Sequence, residues 1–180
     1  MSPSSSPHHT LTQPVRLKTG DADRFLQLRR KQLVTDPWAF DADPEDGEAG
    51  DLDWAAGLLT REDTVAIFAV EHPQDSRQLI ASAAVTRARQ PRYAHRARVW
   101  GVYVDPAFRG HGLGRSVMQA VIRHARTWQG VDYLDLSVSA NSPAALNLYT
   151  RLGFIQWGRE PETTACGEQR FDEIYMTLRL

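Results

Sequence analysis

The segment RGHGLGRSVMQAVIRHA, which begins at Arg109, places three glycines at alternate positions directly before an apolar stripe with helical spacing. The stripe includes Leu113, Val117 and Val121, which indicates that a helix begins inside the glycine run. The preceding segment, ARVWGVYVDP, is apolar and rich in valine, and it predicts a buried strand that ends in a turn. The predicted order is therefore strand, glycine loop and helix.

A glycine loop at a helix start is suited to an anion such as phosphate, because the first helical amides lack internal acceptors and carry the positive end of the dipole. A P-loop is excluded, since Arg115 and Ser116 follow the last glycine where that motif needs Lys and Ser or Thr. A Rossmann fingerprint fits weakly, because the spacing is G-x-G-x-G and Asp132 and Asp135 lie at the start and middle of the next strand.

A third phosphate-loop pattern, R-x-x-G-x-G after a V-x-P strand end, is matched by Val104, Pro106, Arg109, Gly112 and Gly114. In this pattern the chain resembles the GNAT superfamily of acyl-CoA-dependent N-acetyltransferases, whose members hold the pyrophosphate of coenzyme A on this loop. The later segment SPAALNLYTRLGF resembles a second signature of that family, N-x-x-A-x-x-L-Y-x-x-x-G-F. Ser142 stands at the position where the family usually has asparagine, and Asn141 is one place earlier.

The rest of the pattern predicts strands 15–18, 64–71, 79–87 and 131–139, helices 22–34 and 53–59, a basic hairpin after residue 87, and two closing strands. This order and the resemblance predict an α/β (α+β) fold. The expected sheet is mixed and mostly antiparallel, with about seven strands, helices on both faces and a splay between the two central strands. Residues 1–14 are rich in Ser and Pro and predict a disordered arm, with a single acetyltransferase domain over 15–180.

Lys plus Arg number 21 and Asp plus Glu 22, a balance that argues against general nucleic-acid or membrane binding. The single cysteine, Cys166, cannot form an internal disulfide, and this favours a cytoplasmic location. We expect no metal, no nucleic-acid partner and no membrane partner, with a homodimer left open.

The resemblance implies that acetyl-CoA is the co-substrate and that its binding residues lie at the strand end, in the glycine loop and at two helix starts. They are Val102, Tyr103, Val104, Arg109, Gly110, His111, Gly112, Leu113, Gly114, Arg115, Asn141, Ser142 and Tyr149. Gly101 suits a bulge that leaves backbone groups of residues 101–104 free to pair with the pantetheine amides.

Acetyl transfer to an amine requires a base for the ammonium and a proton donor for the departing thiolate. The resemblance makes Tyr149 the general acid. Some relatives carry a glutamate eleven residues before the loop arginine, but Arg98 occupies that position here. The remaining base candidates are Glu160, Asp172 and Glu173, with His95 and His111 behind them, and deprotonation through water is equally open.

Residues 36–53 carry eight acids, no Lys or Arg, and the aromatic residues Trp38 and Phe40. In the family this connection forms part of the acceptor pocket, so an acidic rim predicts a cationic acceptor such as a polyamine, an aminoglycoside or a basic peptide terminus. A solvated acidic loop is the alternative. The predicted function is an N-acetyltransferase that acts on a primary amine of a small molecule or peptide by direct attack. The alternative is a catalytically silent acyl-CoA-binding sensor or interaction module.

Overall fold

A computed structural model describes residues 13–40, 42 and 51–180, so the predicted arm falls almost entirely outside the described residues. Within those residues the chain forms seven strands and four α-helices. In chain order they are β1 (Val15–Arg16), α1 (Ala22–Thr35), α2 (Leu52–Leu59), β2 (Val65–His72), β3 (Asp75–Arg87), β4 (Arg96–Val104), α3 (Leu113–Ala125), β5 (Tyr133–Ser139), α4 (Pro143–Arg151), β6 (Ile155–Cys166) and β7 (Gln169–Arg179).

The strands form one sheet in the order β1-β2-β3-β4-β5-β7-β6. The pairing of β4 with β5 is parallel, and the other neighbouring strands pair antiparallel. The predicted mixed, mostly antiparallel sheet is confirmed. Strand β3 begins at Asp75, four residues before the predicted start, because Asp75 pairs with His72 of β2 ahead of the exposed residues 76–78.

Helices cover both faces of the sheet, as predicted. Along β2, Ala66 and Val70 pack with Val117 and Val121 of α3, whereas the intervening Ile67 packs in the cluster formed by α1 and α2. This alternation follows from the two-residue period of a strand. Each fully buried valine or isoleucine contributes about 1.5–3 kcal/mol to folding, so the apolar stripe of α3 fixes the glycine loop against the end of β4.

The two central strands separate after a short paired stretch. Strand β4 pairs with β5 only from Arg96 to Arg98, and the register between β3 and β4 shifts opposite Gly101. The Ser82 hydroxyl donates a hydrogen bond to the Gly101 carbonyl at 3.0 Å. The structure therefore confirms the predicted splay and the predicted bulge. Beyond residue 98, β5 no longer pairs with the edge of β4 that faces it.

Candidate active site

A cavity of about 970 Å³ lies at the splay between β4 and β5. It extends from the glycine loop to the first turns of α4. Its other side is formed by Arg29 of α1, by Asp36 just after that helix, and by Trp38 and Phe40. All of the predicted cofactor-binding residues line it except His111. The His111 ring lies within hydrogen-bond distance of two carbonyls of its own loop, those of Phe108 and Arg109, at 3.2 and 2.9 Å from Nδ1.

The glycine loop presents backbone amides to this cavity. Gly112 is the N-cap of α3 and has a φ of 78°, a left-handed conformation that glycine adopts without strain. The Ser116 amide donates to the Gly112 carbonyl at 3.0 Å, so the amides of residues 113–115 precede the first helical hydrogen bond. Three such amides at the positive end of a helix dipole fit a diphosphate.

Two ion pairs tie α1 to the loop region. The Arg109 guanidinium donates to the Val104 carbonyl at 3.0 Å and forms an ion pair with Asp36, just after the end of α1. Lys31 of α1 pairs with the buried Asp105, which follows β4. Burial raises the pKa of Asp105, but the hydrogen bonds from Lys31 and the Ala107 amide outweigh it and leave this pKa below its ordinary value.

Tyr149 lies on α4 and lines the cavity while its ring is buried against Phe154, with the ring centroids 5.9 Å apart. Burial raises the pKa of Tyr149 above that of an ordinary phenol, because the charged form is poorly solvated there. The phenol therefore keeps its proton at neutral pH and is able to donate a hydrogen bond.

The three acidic base candidates separate in the structure. Glu173 on β7 lines the cavity, whereas Glu160 and Asp172 do not. Glu160 accepts the hydroxyl hydrogen bond of Tyr175 and raises the pKa of that phenol to about 12. Asp172 accepts hydrogen bonds from the Glu162 amide and from Arg159, at 3.0 and 2.7 Å, which lower its pKa. As base candidates, Glu160 and Asp172 stay predictions: their carboxylates make these contacts, and neither residue is among those that line the cavity.

Arg29 of α1 is a cavity residue that the sequence analysis missed. Its side chain is buried, and the guanidinium carbon lies 5.7 Å from the ring centroid of Trp54 and 5.8 Å from that of Trp100. The available signal was its position four residues after Phe25, on the apolar face of an amphipathic helix. An arginine at such a position is expected to pack on aromatic rings.

Neither a metal centre nor a membrane span is found in the described part of the chain. Its His, Cys, Asp and Glu residues form no group of three or more that could hold a metal ion. None of its helices combines the length and the hydropathy that a bilayer span requires.

The family assignment follows from a family model. The model of the acetyltransferase (GNAT) family matches residues 25–154, which include the glycine loop and the whole of the second signature. The chain belongs to this family. The members of this family are described as acetyltransferases.

The curated relatives of this GNAT chain include two named mycothiol acetyltransferase. The one from Salinispora tropica is 31% identical over 147 residues, which cover 76% of this chain and 42% of that protein. The one from Streptosporangium roseum is 44% identical over 59 residues, which cover 33% of this chain and 17% of that protein. The chain thus spans less than half the length of these relatives.

Solved structures share the fold over nearly the whole chain. A GNAT family acetyltransferase from Streptococcus pneumoniae has a TM-score of 0.79 at 17% identity and covers 93% of this chain and 98% of its own. The ribosomal-protein-alanine N-acetyltransferase from Brucella melitensis has a TM-score of 0.78 at 19% identity and covers 94% of this chain and 100% of its own. The Salmonella typhimurium protein yncA, solved with its cofactor acetyl-CoA, has a TM-score of 0.77 at 18% identity and covers 94% and 95%. At these identities the likeness shows the fold.

Proposed function

We propose that this GNAT chain transfers the acetyl group of acetyl-CoA to a primary amine of a small molecule or peptide, by direct attack of the amine on the thioester. One observation carries the proposal: a single cavity connects the amides of the glycine loop, the open edge of β4 and the phenol of Tyr149. These three features match the three parts of an acyl-CoA that must be held. The loop amides suit the pyrophosphate, the strand edge suits the pantetheine, and the phenol suits the sulfur of the thioester.

The donor would lie along β4. Its pyrophosphate would accept hydrogen bonds from the amides of residues 113–115, and its pantetheine amides would pair with the edge of residues 101–104 that β5 leaves open. This placement directs the thioester toward the middle of the splay, where Tyr149 lines the cavity.

The reaction removes two protons from the ammonium nitrogen and supplies one proton to sulfur. We assign Glu173 as the base that takes a proton from the ammonium group, since it is the base candidate among the three acids that lines the cavity. The amine nitrogen then bonds to the carbonyl carbon, the carbon–sulfur bond breaks, and its electron pair leaves with sulfur, while the nitrogen gives its second proton to solvent water. Tyr149 would give its proton to the thiolate and take another from solvent in the same step, so that no buried tyrosinate forms.

The finer predictions about partners stay predictions. The cationic acceptor rests on the acidic segment, of which Asp41, Asp43, Glu45 and Asp46 lie outside the described residues. The curated relatives' acceptor is not assigned to this chain, because the chain covers less than half of their length. A homodimer and a cytoplasmic location also stay predictions, the latter supported by the unpaired Cys166.

Release of free CoA from acetyl-CoA in the presence of pooled amines tests the proposal. Amine-dependent release, with the acetylated amine identified by mass spectrometry, is the expected result. CoA binding without release from any amine pool would instead favour the silent acyl-CoA-binding module.

A further inference from the structure

A second cavity, of about 470 Å³, adjoins the candidate active site. The two cavities share Arg98, Leu136 and Ser137 as lining residues, so a ligand can extend from one into the other. Within β4, Ala97 and Val99 are buried in the cluster to which α3 contributes, so Arg98 lies on the opposite face of the sheet. The second cavity is therefore an extension of the active site on the face away from α3.

The charged groups at the centre of this second cavity already have partners. Arg96 and Asp135 form a two-pronged ion pair, with both N–O distances at 2.6 Å. Arg98 donates to the Ser137 hydroxyl at 3.2 Å and is engaged in other interactions as well. Arg92 also lines the cavity, but it is exposed, so its charge is solvated. A charged group of a ligand would gain little here, because it would give up its own hydration to share contacts that already exist.

Aromatic rings, in contrast, are open along the same wall. Trp157 is 65% exposed and Tyr93 is 60% exposed, and both line the second cavity. The Tyr175 ring lies beside Trp157, with centroids 5.4 Å apart, while its hydroxyl donates to Glu160. Tyr175 therefore offers a ligand its ring and not its phenolic proton. A flat apolar group that covered these rings would leave water and gain ring contacts.

The strand register accounts for the position of Trp157. Gln156 of β6 pairs with Met176 of β7 and Gly158 pairs with Tyr175, so Trp157 is the extra residue of a β-bulge. A bulge changes the direction in which a side chain points, and here the indole lies beside the Tyr175 ring. Gly158 has no side chain to compete for that place: a Cβ there would lie 3.6 Å from the Cβ of Tyr175.

We propose that this aromatic groove, formed by Tyr93, Trp157 and Tyr175, binds an aromatic ring of the acceptor. The inference rests on the proposed function and names its acceptor class: a primary amine that carries an uncharged aromatic group. The continuity of the two cavities makes the acceptor the occupant, because a group held in the groove remains connected to the site of acetyl transfer.

The strand geometry sets the distance between the amine and the ring. Glu173, the assigned base, lines the first cavity and Tyr175 lines the second. They share a face of β7, since the intervening Ile174 is buried in the core, and two residues correspond to about 7 Å along a strand. In a peptide with an aromatic second residue, one extended residue and the side chain separate the ring from the terminal amine by about this distance.

Three peptide amides of equal charge test the groove: glycyl-alaninamide, glycyl-phenylalaninamide and glycyl-cyclohexylalaninamide. We expect KM of the wild-type chain to be about 10-fold lower for the phenylalanine peptide than for the alanine peptide, with kcat retained, because one ring leaves water. KM for the cyclohexyl peptide should be about 2- to 10-fold higher than for the phenylalanine peptide, because the contact between aromatic rings is lost.

Variants of β6 assign the effect to the groove. In Trp157→Ala the preference for phenylalanine over alanine should fall to about threefold or less, because the largest exposed ring is removed. Trp157→Phe should restore the preference. Ile155→Ala removes an exposed apolar side chain of the same strand that lines neither cavity, so it is the matched control and should behave as wild type.

Binding measured without catalysis separates this inference from the proposed function. The three peptides are titrated into the CoA complex by calorimetry and by NMR of the ¹⁵N-labelled chain, which has five indole N–H groups. The resonance missing in Trp157→Phe should shift when the phenylalanine peptide binds, and this result supports the groove whether or not acetyl transfer follows. Equal affinity for the phenylalanine peptide and either of the other two, no measurable binding, or a preference unchanged in Trp157→Ala would overturn the inference.

Discussion

Replacement of Gly112 by alanine is the perturbation for which the structure gives the most defined expectation. A Cβ at this position would have no heavy atom within 4 Å, so the cost to folding is conformational and not steric. Forcing alanine to a φ of 78° costs about 1–2 kcal/mol, partly offset by the lower entropy of the unfolded chain. A net loss of about 1 kcal/mol should lower Tm by about 2–4 °C in a chain of this length.

The effect on CoA binding should be larger, because the added methyl group would project into the space where the pyrophosphate approaches the amides. Loss of one charge-assisted hydrogen bond, worth about 1.5–3 kcal/mol, lowers affinity about 10- to 100-fold. Gly130→Ala is a matched control, since Gly130 has a φ of 77° and is not among the residues lining the cavity. Calorimetry with CoA and thermal unfolding of both variants separate the two effects. Equal CoA affinity in the two variants would refute the loop as the pyrophosphate site.

Tyr149→Phe keeps the ring and its contact with Phe154, so stability and CoA affinity should hold while kcat falls about 10²-fold in steady-state assays, the low end for a lost proton donor. An undiminished kcat, with acyl transfer rate-limiting, would make Tyr149 a packing residue. Glu173→Gln should lower kcat, and Asp172→Asn should leave it near wild type, when both are assayed across pH; the opposite order would contradict the assignment of the base. The fold lowers the pKa of Asp105, so this carboxylate stabilises the folded chain at pH values above its ordinary pKa of 3.8. The stabilisation is lost as the pH falls below 3.8. Melting temperatures of Asp105→Asn should therefore depend less on pH in that acid range, and parallel curves would contradict the role of the pair with Lys31.

The elements that bear the donor site were predictable because local signals and fold agree there. An apolar strand, alternating glycines and a helical stripe determine the loop before α3, and Ser142 with Pro143 determines the start of α4. Gly101 predicted the bulge, since an isolated glycine in a strand commonly marks one.

The acceptor side was less predictable, because it depends on which strand face each residue occupies. The sequence offers three carboxylates, Glu160, Asp172 and Glu173, with nothing to rank them. The register between β6 and β7 is irregular between Glu160 and Thr164, so the two-residue period of the strands could not identify the acid that lines the cavity. The second cavity, of about 470 Å³, is likewise lined by residues of β4, β5, β6 and β7 and by the turn before β4, which only the folded sheet brings together.

Transfer of an isotopically labelled acetyl group tests the central claim most directly. The chain is incubated with acetyl-CoA labelled with ¹³C in the acetyl group and with the best amine from the pools, and both the amine and the protein are followed by mass spectrometry. We predict label on the amine nitrogen, one free CoA for each acetylated amine, and no acetylated protein along the way. Label released only as acetate, or retained on the protein, would contradict direct transfer from the thioester to an amine in this cavity.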